Sequence, residues 1–444
     1  LRDVYKRQTQ TDYEDQIVYT SVASDRRFDF VMALTDLELS ANWRTPSQSR
    51  PGAEFRFVQT ASIDELASVA ISGGSPQSFL TERLSAETAA RLTVFARLNP
   101  DLDAEVGGEV TYNLLDAEQS FQIGGVAIAL PLATTRVDEL RANAFLGAVW
   151  QITPSVRLEA ELRAEGSRIR QIGEGERSRD LSYLKPRVAL TWFSTHQTRW
   201  RFSVSREVGQ IDFLDFAASS TLVNNQILAG NDALRPQTLW NATLSFERRF
   251  ADSGVISFTL RGERLSDVVD FLPTADGGVI RGNIGDGTLA AAAVELRLPL
   301  RKFGAEGARL EVSAAYEQIE VTDPVTAQER GVSYRSPSQT LVRFVNEVPA
   351  FRVNWGAEYR PYARSPTFDP DQTRFYRTRD QWSLFAEWSP PGGWTMRAEA
   401  FLWDDLQIPR TVFAKRSPER PVAFEEMQVF DPRDRLELRL RRAF

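Results

Sequence analysis

The sequence predicts an all-β protein, namely a transmembrane antiparallel β-barrel of about 16 to 20 strands, or part of a 22-stranded one. Three observations lead to this fold class. Apolar and charged residues alternate with a period of two, the predicted strands are long, and aromatic residues recur beside short turns. No apolar run approaches the ~20 residues of a membrane-spanning helix, which excludes a helical membrane protein.

The composition indicates an ordered fold and excludes several chemistries. Hydrophobic residues make up 42% of the chain and aromatic residues 11%, which is not typical of a disordered protein. Because there is no cysteine, disulfide scaffolds, cysteine-ligated metal centres and cysteine nucleophiles are excluded. The net charge is −7 with both signs interspersed, so the chain offers no basic stripe for nucleic acid.

The first residues differ from the rest of the chain. Residue 1 is Leu rather than Met, and residues 1–8 fit no later pattern. We therefore expect residues 1–8 to be a non-native or disordered leader. Residues 9–444 are expected to form the barrel.

The strands themselves carry the alternation. In residues 156–165, every second residue is Val, Leu or Ala, and the residues between them are Arg or Glu. Segments 104–115, 255–271 and 374–388 exceed the ~5–6 residues usual in soluble sheets and suit the ~9–11 that cross a tilted bilayer. Lipid offers no partner for backbone N–H and C=O groups, so such a sheet must close on itself. The apolar side then faces lipid, and the charged side lines a wet lumen.

Short turns alternate with long polar loops along the chain. The short turns are predicted at residues 153–155, 194–198, 251–254 and 390–393, and the long loops at 116–137, 169–181, 209–236, 273–287, 321–338 and 404–433. Aromatic residues on the apolar parity flank the short turns, which predicts an interfacial girdle at the periplasmic side. Its members are Trp150, Trp192, Trp200, Phe250, Trp388 and Trp394.

The C-terminal segment fits the same topology. Leu436, Leu438, Leu440 and Phe444 share one face of a final strand. If short turns lie in the periplasm, this strand runs from an outer loop and ends in the periplasm. A soluble β-sandwich or propeller would also alternate, but the strand lengths, the aromatic placement and the lack of a fixed-period repeat argue against both.

Several motifs resemble those of a known family. They are Tyr-Leu-Lys-Pro-Arg at residues 183–187, Arg-Glu-Val-Gly-Gln-Ile-Asp-Phe-Leu-Asp-Phe at 206–216, Gly-Asn-Asp-Ala-Leu-Arg-Pro-Gln at 230–237, Gly-Asn-Ile-Gly at 282–285 and Asp-Pro-Val-Thr-Ala-Gln-Glu-Arg at 323–330. Together with the terminal aromatic strand, they resemble the barrel of TonB-dependent outer-membrane receptors, particularly an alphaproteobacterial type. Residues 9–182 resemble the family only in pattern.

The resemblance implies a location, a function and a set of partners. It implies a Gram-negative outer membrane and active import of a ferric siderophore, a vitamin or an oligosaccharide. TonB would supply energy through a plug domain that this sequence lacks, and we expect truncation to be the reason. Outer-membrane lipid and the assembly machinery that reads the C-terminal strand are the other implied partners. We expect a monomer with no cofactor and no nucleic-acid ligand.

The loop at residues 209–236 is the most suggestive candidate for binding. Its aromatic, carboxylate and amide side chains could hold a polar solute at the outer mouth. These candidates are Asp212, Phe213, Asp215, Phe216, Asn224 and Asn225. The alternative, which we favour for the phenylalanines, is that they pack the loop against the barrel rim.

Other functions remain as alternatives. A passive porin-type channel would share the fold, as would an outer-membrane enzyme or an adhesin barrel. The single histidine, His196, falls in a short turn without a nucleophile beside it, so we predict no catalytic residue and no enzyme. Paired acids such as Asp404 and Asp405 are expected to be solvated loop charges, and we predict no metal site.

Overall fold

The computed structural model describes most of the chain and contains one large sheet. The described residues are 2–19, 24–45, 51–71, 75–130, 133–173, 176–216, 219–221, 226–231, 233–250, 253–275, 277–430 and 434–442. They form a sheet of 26 strands. Over these ranges, no helix is long and apolar enough to cross a membrane.

The strands are numbered in chain order. The first thirteen are β1 (Arg2–Tyr19), β2 (Ser24–Arg44), β3 (Gly52–Ile71), β4 (Gln77–Asn99), β5 (Leu102–Ile123), β6 (Val126–Ile128), β7 (Thr134–Thr153), β8 (Val156–Ile172), β9 (Glu176–Thr195), β10 (Thr198–Val208), β11 (Ser219–Thr221), β12 (Gln226–Ala229) and β13 (Thr238–Phe250). The others are β14 (Gly254–Pro273), β15 (Val279–Pro299), β16 (Ala308–Thr322), β17 (Glu329–Arg330), β18 (Ser338–Val348), β19 (Val353–Arg360), β20 (Ala363–Asp369), β21 (Gln372–Thr378), β22 (Gln381–Trp388), β23 (Trp394–Trp403), β24 (Leu406–Phe413), β25 (Val422–Phe430) and β26 (Arg435–Arg442).

A wall of antiparallel neighbours forms the barrel. Within the described residues, eighteen strands pair in succession, which lies within the range that the sequence predicts. Their order is β1, β2, β3, β4, β5, β7, β8, β9, β10, β13, β14, β15, β16, β18, β19, β22, β23 and β26. Because each of these pairs is antiparallel, successive connections along the chain lie alternately at the short-turn end and at the long-loop end of the wall.

The two edges of the wall approach each other at the long-loop end. There the hairpin β20–β21 and the strands β24 and β25 continue the wall beyond β19, β22, β23 and β26. The end of β1 pairs with β25 over three residues, Ile17 with Val429, Val18 with Gln428 and Tyr19 with Met427. The first and last parts of the wall therefore meet through main-chain pairing.

The distribution of side chains is the inverse of that in a soluble protein. Leu162, which lies on the apolar parity of β8, is 45% exposed, whereas its charged neighbours Glu161 and Arg163 are half-buried. The same holds for Leu146 on β7 and Leu260 on β14, at 60% and 55% exposure. The apolar parity thus forms the outer surface, and the charged parity lines the lumen, as the alternation predicts.

Ion pairs on the lumen side bring opposite charges together. Arg201 on β10 reaches across β9 to bind Glu159 on β8 at 2.7 Å, and Arg397 lies 3.0 Å from Glu399 on the same strand, β23. Such pairs balance the two signs of charge along the lumen wall.

The structure places Arg2–Gln8 in β1, paired with residues 34–40 of β2. That residues 1–8 are a non-native or disordered leader stays a prediction. Two other predictions about element boundaries need correction. The predicted long loops at residues 116–137, 169–181, 273–287 and 404–433 consist largely of hairpin extensions, since β8 continues to Ile172 and β9 begins at Glu176. Segment 374–388 is divided between β21 and β22.

Candidate functional site

The loop between β10 and β13 folds into the lumen at the long-loop end. A 3₁₀ turn, Phe213–Phe216, follows Ile211, and both Ile211 and Phe213 pack against an apolar cluster. The cluster contains the inward-facing side chains Leu115, Val137 and Ile169 of β5, β7 and β8. Burial of these apolar side chains against one another holds the loop inside the barrel.

Between this loop and the wall lies a cavity of about 610 Å³. Inward-facing carboxylates of β2, β3 and β4, namely Asp36, Asp64 and Glu87, line it, and the loop contributes Asp212 and Phe213. The hydroxyl of Ser62, which has one proton to donate, lies 2.8 Å from a carboxylate oxygen of Asp36 and 3.2 Å from one of Asp64. The cavity is thus acidic and polar on the wall side, with one aromatic ring on the loop side.

The motifs at residues 230–237 and 282–285 bind each other. The side chain of Asn231 donates to the carbonyl of Arg281 at 2.7 Å, and that of Asn283 donates to the carbonyls of Arg235 and Asp267 at 2.9 and 2.8 Å. Strand β12 also adds to β15 in parallel, over two residue pairs. A Cβ on Gly282 would lie 2.6 Å from Cδ1 of Leu272 and 3.2 Å from Nδ2 of Asn231, so a side chain here would require both of these side chains to shift. The two asparagines therefore fasten the loop to β15.

The motif at residues 323–330 forms a closed turn. One carboxylate oxygen of Asp323 accepts hydrogen bonds from the Val325 N–H at 2.9 Å and from the Thr326 N–H at 2.8 Å. The other oxygen accepts one from Arg330 Nε at 2.7 Å. Ala327 takes a left-handed conformation, with φ of 57°. Asp323 and Arg330 are the first and last residues of the motif, so their ion pair closes the turn between them.

A chain of buried and half-buried charges links this turn to the inward loop. We call it the mouth network, and its members are Asp215, Arg281, Asp270, Arg330, Asp323 and Arg420. Its centre is Asp270, which is fully buried and accepts a hydrogen bond from Arg330 Nη1 at 2.7 Å. Arg281 lies 3.6 Å from Asp270 and 3.7 Å from Asp215. Arg420 contacts Asp323 at 3.2 Å.

The mouth network joins five separate elements. They are the inward loop, β14, β15, the closed turn and the loop before β25, so covalently distant segments form one ionic frame. Arg416 adds a second clamp, since it binds Asp371 at 2.6 Å and donates to the carbonyl of Gly278 at 2.9 Å. A buried charge without its partner is costly, so the segments are expected to stay together.

The environment shifts the pKa of two loop carboxyls in opposite directions. Burial raises the pKa of Asp215, and the more distant Arg281 offsets this only in part. Burial also acts on Asp323, but hydrogen bonds from the Thr326 N–H and from Arg330 bring its pKa below the ordinary value. Asp323 is therefore held as a stable anion, whereas the charge of Asp215 is destabilised.

The structure separates the binding residues that the sequence predicts. Asp212 and Phe213 line the cavity, whereas Asp215 lies beside Arg281. Phe213 also packs against the apolar cluster of the wall, which is the packing role that the sequence offered as the alternative to binding. Phe216 ends the 3₁₀ turn, but its side chain, Asn224 and Asn225 lie outside the described residues. Their role in binding stays a prediction.

Sequence reasoning missed the centre of the site. Asp270, Arg281 and Arg330 had no role assigned, although Arg281 precedes one family-like motif and Arg330 ends another. Their position beside these motifs is the sequence signal that could have identified Arg281 and Arg330 as site residues. Across the described ranges, no group of three or more potential metal ligands is found.

The predicted girdle residues lie on the outer surface near the short turns. Trp150, Trp192 and Trp388 are 48%, 49% and 47% exposed, and Trp200 pairs with Trp192 across neighbouring strands. Phe250 and Trp394 share the outward parity but are less exposed. On β26, the outward side chains Leu436, Leu438 and Leu440 are 68%, 76% and 61% exposed, and Phe444 lies outside the described residues.

A family model described as "TonB dependent receptor-like, beta-barrel" matches residues 2–401. The chain belongs to this family. A TonB-dependent receptor barrel spans the Gram-negative outer membrane, so the apolar outer surface is the lipid-facing one. The short-turn end is then the periplasmic end and the loop-covered mouth the external one, because barrels of this class have short periplasmic turns.

Solved structures share the fold. The TonB-dependent receptor barrel is similar to the ferric yersiniabactin uptake receptor FyuA from Yersinia pestis, with a TM-score of 0.62 at 10% identity over 94% of this chain and 68% of that one. The ferric citrate transporter FecA gives 0.61 at 9% identity over 96% and 67%. The copper transporter OprC gives 0.53 at 10% over 95% and 80%. No curated protein matches the chain closely enough in sequence to count as a relative.

Proposed function

We propose that this TonB-dependent receptor barrel actively imports a scarce polar solute across the outer membrane, namely a ferric siderophore, a vitamin or an oligosaccharide. The observation that carries the proposal is the covered mouth. The loop between β10 and β13 enters the lumen and forms one wall of the 610 Å³ cavity. Small-molecule sites have volumes of roughly 300–1,000 Å³ and a few convergent polar groups, and this cavity has both properties.

A passive channel is the alternative, and the mouth network argues against it. A porin needs a permanently open aqueous path, whereas here the buried ion pairs of Arg330 with Asp270 and Asp323 tie the closed turn to β14 at the long-loop end. Loops held by charge pairs and hydrogen bonds can release a bound solute only when the frame is disturbed. Energy delivered by TonB through a plug domain would provide that disturbance.

The cavity chemistry indicates which part of a solute it would contact. The carboxyl oxygens of Asp36, Asp64, Glu87 and Asp212 accept hydrogen bonds, so hydroxyl, amide or cationic groups of the solute would face them. The similar structures named above are receptors or transporters for ferric yersiniabactin, ferric citrate and copper. They favour a metal-bearing solute among the three classes.

The remaining roles follow from the same proposal. Trp150, Trp192, Trp200, Phe250, Trp388 and Trp394 would anchor the periplasmic side at the lipid interface. Leu436, Leu438 and Leu440 would present the final strand to the outer-membrane assembly machinery. We propose a monomeric protein without enzymatic activity, since the site residues are positioned for binding.

Uptake measurements with the full-length gene test the proposal. A deletion strain is supplied with radiolabelled ferric siderophores, vitamins and oligosaccharides, with and without a protonophore. Active import predicts that one solute loses accumulation on deletion, that the intact gene restores it, and that the protonophore abolishes it. A passive porin predicts uptake that the protonophore leaves unchanged. If deletion changes the uptake of none of these solutes, the importer proposal is wrong and an adhesin role gains support.

A further inference from the structure

Two phenylalanines stand exposed in the short turns of the periplasmic end. Phe303 lies in the 3₁₀ turn Arg301–Phe303 between β15 and β16, and Phe351 in the turn Pro349–Phe351 between β18 and β19. They are 74% and 72% exposed, more than any predicted girdle tryptophan in the described chain. The turns are neighbours, because β16 pairs with β18 and the Glu347 N–H donates to the Gly307 carbonyl at 2.9 Å.

Basic side chains accompany these phenylalanines along one side of the barrel. We define the basic rim as Arg248, Lys302, Arg352 and Arg442, which lie at the periplasmic ends of β13, of the two turns and of β26. Among the described residues, Arg248, Lys302 and Arg352 have no ion-pair partner. Arg442 lies over the Trp394 ring, with its guanidinium carbon 5.1 Å from the ring centroid.

The outward-facing charges on this side are basic over the described residues. Arg248 and Arg442 occupy outward-facing positions, between Phe246 and Phe250 and after Leu440. From β13 to β26, no aspartate or glutamate occupies an outward-facing position within the five periplasmic residues of a described wall strand. In the described part of the two turns, Glu306 is the one acid. This contrasts with the lumen wall, where arginines are paired with acids, and with the net charge of −7 for the whole chain.

We propose that the basic rim binds anionic phospholipid headgroups of the periplasmic leaflet, with Phe303 and Phe351 inserted at the headgroup level. Exposed aromatic rings at a membrane boundary are favourable when lipid covers them, and the cations of Lys302 and Arg352 beside them are complementary to phosphate. The rim is continuous with the outward aromatic surface at Trp388 and Trp394, so the same leaflet contacts both. A periplasmic protein would be the other occupant of such a surface.

Native mass spectrometry of the full-length protein tests the proposal. The protein is released from detergent micelles that contain equal amounts of phosphatidylglycerol and phosphatidylethanolamine, and the retained lipid is counted. Each cation near an anionic lipid surface strengthens binding roughly fivefold. We expect wild type to prefer phosphatidylglycerol, and the double variant Lys302→Gln/Arg352→Gln, which lacks two cations, to have that preference lowered about 25-fold. Both residues lie in turns, so the barrel should fold.

A matched pair of substitutions controls for net charge. Arg379→Gln/Lys415→Gln removes two exposed cations at the opposite end of the barrel and should keep the wild-type preference. The variant Phe303→Ser/Phe351→Ser should lower retention of both lipids. The proposal is wrong if wild type retains both lipids equally, if the Lys302/Arg352 variant behaves as wild type, or if the control variant loses as much. Equal retention of the two lipids would leave a protein partner as the explanation for the rim.

Discussion

Asn283 and Arg235 exchange two hydrogen bonds although they are 48 residues apart. The Arg235 N–H donates to Asn283 Oδ1 at 2.9 Å, and Asn283 Nδ2 donates to the Arg235 carbonyl at 2.9 Å. An asparagine can do this because its amide presents a donor and an acceptor side by side, as a backbone peptide does. The two hydrogen bonds therefore join the inward loop to β15 in the way that a pair of backbone hydrogen bonds joins two strands.

Replacing Asn283 should free this loop. Asn283→Ala removes three hydrogen bonds, each with a net value of about 1 kcal/mol, so the loop at residues 209–237 should open more often. Limited proteolysis should show faster cleavage in this loop, while the barrel stays intact. Asn241→Ala, which removes a lumen-facing asparagine bonded to Thr243, is the matched control. Equal cleavage rates in the two variants would contradict the fastening role.

Removing the centre of the mouth network should be more costly. Arg330→Gln leaves the fully buried Asp270 and the buried Asp323 without their shortest ion pairs, and breaking a buried pair costs roughly 3–5 kcal/mol. Urea unfolding in lipid vesicles, or spin-label distances across the mouth, should report looser loops. Arg335→Gln removes a half-exposed pair with Glu317 and should cost about 0–1 kcal/mol. A similar loss in both variants would show that burial does not set the cost.

The closed turn at residues 323–330 should open in acid. The pKa of Asp323 in the folded protein lies below its ordinary value of 3.8, so its stabilising contribution is complete above that value and is lost as pH falls through the folded pKa. Pepsin cleavage in this turn should rise as pH falls below about 3.8. Asp323→Asn lacks the titrating carboxyl and is the reference. The cleavage rate of the wild-type turn relative to this variant should rise as pH falls, and a ratio that does not change with pH would contradict the assignment.

The contribution of Asp215 to loop stability should depend on pH in the opposite direction. Burial raises its pKa in the folded loop, so the folded state holds its proton more tightly than the unfolded one, and loop stability falls as pH rises through that pKa. Asp215→Asn should therefore protect the inward loop from proteolysis at neutral pH and flatten its pH dependence. Asp212→Asn, at the exposed neighbouring acid, is the control. Greater cleavage of the Asp215→Asn loop at pH 7 would refute the argument.

The two faces of the wall should respond differently to charge. Leu260→Arg places a cation on the lipid-facing side and should cost roughly 2–4 kcal/mol if it lies near the bilayer centre. Thr259→Arg, one residue away on the lumen side, should cost far less, because Arg261 already lies on that face. Urea titration of folding into vesicles measures both. Equal losses would mean that the two faces share one environment.

The sequence predicts the wall better than the loops, and residues 156–172 show why. Up to residue 165, lipid demands apolar side chains on one face and water demands polar ones on the other, so period two is visible. Beyond it, Arg168 and Arg170 face outward while Ile169 is buried by the inward loop. The strand continues past the bilayer, but the outer face now meets water, so the alternation no longer marks it. This is why residues 169–181 read as a loop.

The binding candidates divide for a similar reason. Asp212, Phe213 and Asp215 were selected as loop residues of suitable chemistry, but a 3₁₀ turn directs Asp212 to the cavity and Asp215 to Arg281. Residue types indicate what chemistry a loop could perform. The direction of each side chain depends on backbone geometry that only the folded loop defines.

The sequence by itself determined the two-faced strand, the barrel class and the orientation of its ends, because each depends on the local contrast between lipid, lumen and water. Tertiary structure alone decided that Arg330 meets Asp270 across 60 residues and that Asn283 meets Arg235 across 48. Such contacts depend on strand register and on the curvature of the wall, which brings its loops together at one end. Neither property is encoded in the neighbours of any one residue.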